Sequence, residues 1–163
     1  MIADTDFDAS KLPLHLEQAT REFEELTDHL TTTRTLEGYL DRFPVSGAIE
    51  LERTPLVSVA SVKYYDADGT EQTLDGSSYW TDLVSTPGRV VIKPSTVWPG
   101  IDGRPLAVKV TFDAGYGATE SSVPEKIKHA IYSIARDRFQ RLPMLDPDTT
   151  RQLDSCRWRF IYG

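Results

Sequence analysis

The chain is 163 residues long and carries 18 Lys and Arg against 25 Asp and Glu, a formal net charge of −7. That length holds about one domain, and 40 Leu, Ile, Val and Phe residues, near a quarter of the sequence, exclude a disordered chain without a core. The single cysteine, Cys156, excludes an internal disulfide and a cysteine cage for zinc, and no apolar run approaches the roughly 18 residues of a membrane span.

The opening Met1-Ile2-Ala3-Asp4-Thr5-Asp6 is acidic where a secretory leader is basic, so a soluble, cytosolic protein is expected. Residues 12–30 follow a helical period. Leu12, Leu16, Ala19, Phe23, Leu26 and Leu30 fall on one stripe at spacings of 4, 3, 4, 3 and 4, with Ser10 as expected N-cap and Pro13 tolerated in the first turn. From Thr31 the period changes. Residues 31–40 are rich in strand formers and end before Pro44, and further strands are expected at Ala48–Leu51, Leu56–Tyr65, 71–74, 79–83, 89–93 and 106–112. Within Leu56–Tyr65 the apolar residues run largely at odd positions, which predicts one buried face. Asp66-Ala67-Asp68-Gly69 predicts a hairpin turn with Gly69 at positive φ, and the other Gly and Pro pairs suit a meandering antiparallel sheet.

The third region is helical again. Ser122-Val123-Pro124-Glu125 has the pattern of a capping box. Ile127, Ala130, Ile131, Ile134, Ala135 and Phe139 form the stripe that follows, closed by Leu142-Pro143. A short helix is expected over 149–156, and the chain ends on Arg157-Trp158-Arg159-Phe160-Ile161-Tyr162-Gly163. The expectation is an α+β domain spanning 1–163: helix 12–30, β-rich region 31–113, helix 122–142, then a short helix and tail over 143–163, with the two long helices packed together.

No catalytic constellation emerges. His15, His29 and His129 show no metal-ligand spacing, Asp75-Gly76-Ser77-Ser78 lacks the flanking glycine of a nucleophile elbow, and no phosphate-binding glycine loop is present. No enzyme, metal or cofactor is therefore expected. Residues 1–123 carry 10 basic against 20 acidic side chains, and residues 124–163 carry 8 against 5. That basic surplus is read as a solvated helix face, because duplex binding needs a concentrated basic surface. Tyr64, Tyr65, Tyr79, Trp80 and Trp98 are read as core and cross-strand packing, with a sugar-stacking platform as the competing reading. Arg157, Trp158, Arg159, Phe160 and Tyr162 alternate basic and apolar character, which suits docking on a partner chain or on the domain itself.

Two linked segments carry a resemblance. Val108-Lys109-Val110-Thr111-Phe112-Asp113-Ala114-Gly115-Tyr116-Gly117, then Val123-Pro124-Glu125-Lys126-Ile127-Lys128-His129-Ala130-Ile131, resemble the strand, "AGYG" turn, spacer and helix start of a phage family. The helix around Ala19–Thr27, the Thr-rich strand and Pro55–Val62 before an Asp-Gly hairpin fit the same pattern, so the resemblance covers roughly residues 12–142. The family is the head–tail connector proteins, also called adaptors or head-completion proteins, of long-tailed bacteriophages and related gene-transfer particles. The resemblance implies a non-enzymatic virion protein, made in the host cytoplasm and placed at the head–tail interface. It implies a homo-oligomeric ring, commonly a dodecamer in the particle and a monomer in isolation, docked under the portal protein after DNA packaging. Such a ring extends the DNA channel, without sequence-specific DNA binding or membrane contact, and receives a stopper or tail-completion protein. In that frame Arg157, Trp158, Arg159, Phe160 and Tyr162 are the expected portal or subunit contact. A tail-completion or stopper protein, and further off a carbohydrate-binding module, are the alternatives.

Overall fold

The element order is helix, seven strands, then two helices, described by a computed structural model over residues 12–140 and 144–157. The chain gathers into two units: one takes the residues up to His29 and from Val123 onward, and the other is Leu30–Ser122. Helices thus segregate from antiparallel sheets, the expected α+β class.

In the helical unit, α1 (Leu12–Thr27), α2 (Glu125–Phe139) and α3 (Pro147–Cys156) pack on one another. The stripes do much of this: Ala19 and Phe23 of α1 and Ile127, Ala130, Ile131, Ile134 and Ala135 of α2 are buried. Both stripes are shorter than their spacing predicts. Leu12 is 44% and Phe139 41% exposed. α1 stops at Thr27 because Asp28 takes a left-handed φ of 59°, a helix-ending conformation that Asp tolerates. Leu30 then joins the core of the other unit. Ser10, the expected cap, lies outside the described residues, as does the 141–143 end of the second expected helix.

The capping box does not form. Ser122 is spent in a 3-10 turn, Glu120–Ser122, where its N–H donates to Thr119 O at 3.0 Å. The helix begins only after Pro124, with no side-chain cap, and the Glu125 carboxylate accepts from Lys128 Nζ at 2.8 Å instead. α3 begins two residues before the expected start. Asp146 caps it by accepting from Asp148 N–H at 2.9 Å, and Pro147 occupies the first turn, where its missing N–H costs nothing.

Charged groups reinforce the helical unit. Arg138 grips Glu22 of α1 through two hydrogen bonds. Asp137 is fully buried, and its carboxylate accepts from Arg136 at 2.8 Å and from Asp146 N–H at 2.9 Å. Burial pushes its pKa up, but hydrogen bonds from Thr149, Asp146 and Arg136 outweigh that and hold it below the ordinary aspartate range.

The β unit is not the single meander expected. Its strands are β1 (Arg34–Leu40), β2 (Ala48–Leu51), β3 (Leu56–Tyr65), β4 (Glu71–Thr73), β5 (Tyr79–Asp82), β6 (Gly88–Ile92) and β7 (Val108–Ala114). They form two antiparallel sheets, ordered β1-β7-β3-β4 and β2-β6-β5. Two sheets facing each other bury one side of each. Ile49, Leu51 and Val90 of the smaller sheet share a buried cluster with Val62, Val108, Val110 and Phe112 of the larger. The sheets approach so closely at Gly88 that a Cβ there would sit 2.5 Å from the Leu56 side chain.

β3 departs from the predicted alternation. Its register against β7 shifts between Leu56 and Ser58 and again between Val59 and Ser61. Val57 and Ala60 are the extra residues of two bulges, and both are exposed. With those two set aside, Leu56-Ser58-Val59-Ser61-Val62-Lys63-Tyr64 alternates strictly between core and solvent.

Candidate functional site

The Ala114-Gly115-Tyr116-Gly117 turn, which carries the sequence resemblance, is a junction between three segments. Gly115 N–H donates to Pro55 O at 2.9 Å, Tyr116 N–H to Leu30 O at 3.2 Å, and Thr33 N–H to Gly117 O at 2.9 Å. Both glycines are required. Gly115 has φ 129° and a Cβ there would lie 2.6 Å from Thr33 Cα, while Gly117 has φ 151° with Ser122 Oγ 2.5 Å from its virtual Cβ. The turn redirects the chain at the end of β7 and carries no reactive group.

The outward face of the larger sheet is polar and internally satisfied. Asp113 accepts from Thr35 Oγ1 at 2.6 Å and from Ser58 Oγ at 2.8 Å, and these two bonds hold its pKa below the usual range. Glu37 accepts from Tyr39 OH at 2.6 Å and pairs with Lys109 at 3.3 Å, which lowers its pKa likewise. Lys63 pairs with Glu71 at 2.9 Å. A face whose charges are already met by neighbours keeps its water and offers little to a charged ligand.

The five aromatics divide. Trp98 stacks on Phe43 at 4.6 Å between centroids and donates to Pro44 O, Tyr64 meets the same Phe43 edge-on, and Tyr79 packs against the core. Tyr65 lies under the Arg104 guanidinium at 4.1 Å. Trp80 alone of the five is more than half exposed, at 54%, with Lys93 near its ring. They do not make one stacking platform.

The histidines are also dispersed. His15 meets the Phe139 ring edge-on at 6.0 Å, His29 is half-buried, and His129 is exposed. Among the described residues no group of three or more His, Cys, Asp or Glu is placed to hold a metal.

Of the expected tail contact, only Arg157 lies within the described residues; Trp158, Arg159, Phe160 and Tyr162 lie outside them. Arg157 is engaged at home. Its Nε donates to Leu26 O at 2.7 Å and its Nη1 meets Asp154 at 3.3 Å. Three carbonyls at the ends of α1 and α3, Leu26 O among them, are met by side chains. Lys126 Nζ donates to Ser155 O at 2.6 Å, and His29 Nε2 lies 2.9 Å from Cys156 O. These cationic and donor groups suit the negative ends of two helix dipoles. Burial lowers the His29 pKa, against a smaller upward pull from its bond to Cys156 O, so the ring is neutral at pH 7 and donates from Nε2. Sequence spacing did not reveal this cluster, because Leu26, His29, Lys126 and Arg157 come from distant segments. The one local signal was an Arg directly after a helix end.

No family model and no curated protein matches the sequence. Solved structures do resemble it. A chain of the virion of the native gene transfer agent particle superposes with a TM-score of 0.76 at 20% identity, over all of this chain and 85% of that one. A chain from the neck of the native particle, computed with C12 symmetry, gives 0.73 at 20% identity over 94% of this chain and 86% of that one. One from the neck of the empty particle, computed with C6 symmetry, gives 0.69 at 21% identity over 100% and 85%. This chain therefore shares its α+β fold with chains built into gene transfer agent particles.

Proposed function

We propose that this protein is a non-enzymatic adaptor subunit of a phage-like particle. It docks as a ring under the portal protein after DNA packaging, extends the DNA channel and joins the head to a stopper or tail-completion protein. The observation that carries the reading is the likeness over the whole chain to particle chains, two of them from a neck treated with cyclic symmetry. The motif running from Val108 to Ile131 supports it independently. An acidic balance suits a channel through which a duplex slides, since a basic lining would hold it.

The tail is the proposed contact with the portal or a neighbouring subunit, through Trp158, Arg159, Phe160 and Tyr162. Arg157 roots it to the helical unit by its bonds to Leu26 O and Asp154. Removal of residues 158–163 is expected to abolish docking and leave the folded unit intact.

The reading is tested by electron microscopy of particles from a host lacking only this gene. DNA-filled or leaking heads without tails, beside separate finished tails, are the expected result. Normal tailed particles would overturn it. Heads that still carry an adaptor ring would point instead to a stopper or tail-completion role.

A further inference from the structure

The two sheets of the β unit turn their inner faces to one core, so their outer faces point in opposite directions. Each outer face carries something the other lacks. At the β7 end of the larger sheet, Leu106 is 55% exposed and held at a left-handed φ of 56°, where a branched side chain is strained. Asp41 holds that conformation by accepting the Leu106 N–H at 2.8 Å. A depression of about 420 Å³ is lined by Asp41, which holds the knob, and by Arg42, Ile101, Arg104 and Pro105. A smaller one of about 140 Å³ is lined by Leu106 itself with Tyr39, Tyr65 and Lys109. Lys63, Lys109 and Arg104 all have carboxylate partners. Arg42 is exposed and has none among the described residues.

The smaller sheet presents the complement. Trp80, Val91 and Ala48 stand side by side across β5, β6 and β2, and Asp82, Arg89 and Glu50 form the next row. Arg89 is committed to Asp82 at 2.7 Å. That leaves Glu50, and Glu52 just beyond it, as exposed carboxylates without a partner among the described residues. Beyond the end of β5, Leu83 and Val84 are exposed apolar residues, Val84 at 93% exposure.

We infer that the Leu106 knob of one copy docks on the outer face of the β2-β6-β5 sheet of the next copy, with Arg42 meeting Glu50. The inference rests on the ring reading above. The occupant is a second copy because knob and socket, lone cation and lone carboxylate, belong to the same chain. They also lie on opposite faces, the arrangement that joins subunits head to tail, and such a contact makes a ring when the rotation from copy to copy closes. Tyr and Arg around the knob, with Trp in the socket, are side chains enriched at interfaces and their hot spots.

The full-length chain is tested as wild type, Arg42→Glu, Glu50→Arg, the double reversal and Leu106→Asp. All three sites of change are exposed, so circular dichroism should show unchanged folds. The readout is the number of copies incorporated into particles, using a host lacking the gene and supplied with each variant. Each single reversal is expected to lower incorporation about tenfold, with the double reversal recovering most of it. Leu106→Asp should lose incorporation with either charge partner. Single reversals that incorporate like wild type, or a double that fails to recover, overturn this contact and leave the ring reading standing. Absence of the wild-type chain from particles overturns the ring reading and this contact together.

Discussion

The helical unit and the β unit are stabilised by different physics. The helical unit has short apolar stripes, and charged groups complete it: Glu22 with Arg138, the buried Asp137 and the side chains over the ends of α1 and α3. The β unit has a continuous apolar cluster between two sheets and depends on close approach, at Gly88 and at Gly115. One unit is therefore vulnerable to changes of charge state, and the other to changes of volume.

The sharpest way to break the β unit is Gly115→Ala. It adds a Cβ into the Thr32–Thr33 backbone at a φ of 129°, with an expected cost of about 3–5 kcal/mol. Chemical denaturation should show a large fall in midpoint at every pH. The matching change in the helical unit is Asp137→Ala, which leaves the Asp146 N–H without its acceptor while the exposed Arg136 turns to water, with an expected cost of about 1–3 kcal/mol. Here pH sharpens the comparison. The folded pKa of Asp137 is depressed, so its contribution is present above the ordinary value of 3.8 and lost as pH falls through the folded value. Wild type should lose stability steeply below that point, and the variant should lose less.

The smallest effect belongs to His29. Its folded pKa lies below the ordinary 6.5. The unfolded chain therefore binds the proton first, and stability is lost as pH drops below 6.5. His29→Gln keeps a donor for Cys156 O and should flatten that slope. A slope equally steep in the variant would assign it to another group.

Much of this was legible in the sequence. β2 and β3 have the bounds expected of them, because Gly and Pro punctuate both ends. Gly69 adopts its predicted positive φ of 77°. The two helical stripes were read from period alone, and the departures came at their ends, where Asp28 and the Glu120–Ser122 turn decide matters locally. The pairing of strands was not legible. β7 sits between β1 and β3, and nothing in a strand's own residues says which distant strand will lie beside it. The site at the helix ends was hidden for the same reason, since each carbonyl and its donor are far apart in sequence.

The paired bulges of β3 give that strand adjustable length. Val57 and Ala60 each stand outside the ladder, so excising either one leaves every other side chain on its present face. Beyond the bulges, where Val62, Lys63 and Tyr64 pair one to one with β7, removing Lys63 would invert the strand's inside and outside from that point on. β3 thus has two sites where a one-residue deletion is silent in register, followed by sites where it is ruinous, and chains of this fold can differ in length there without exchanging their cores for their surfaces.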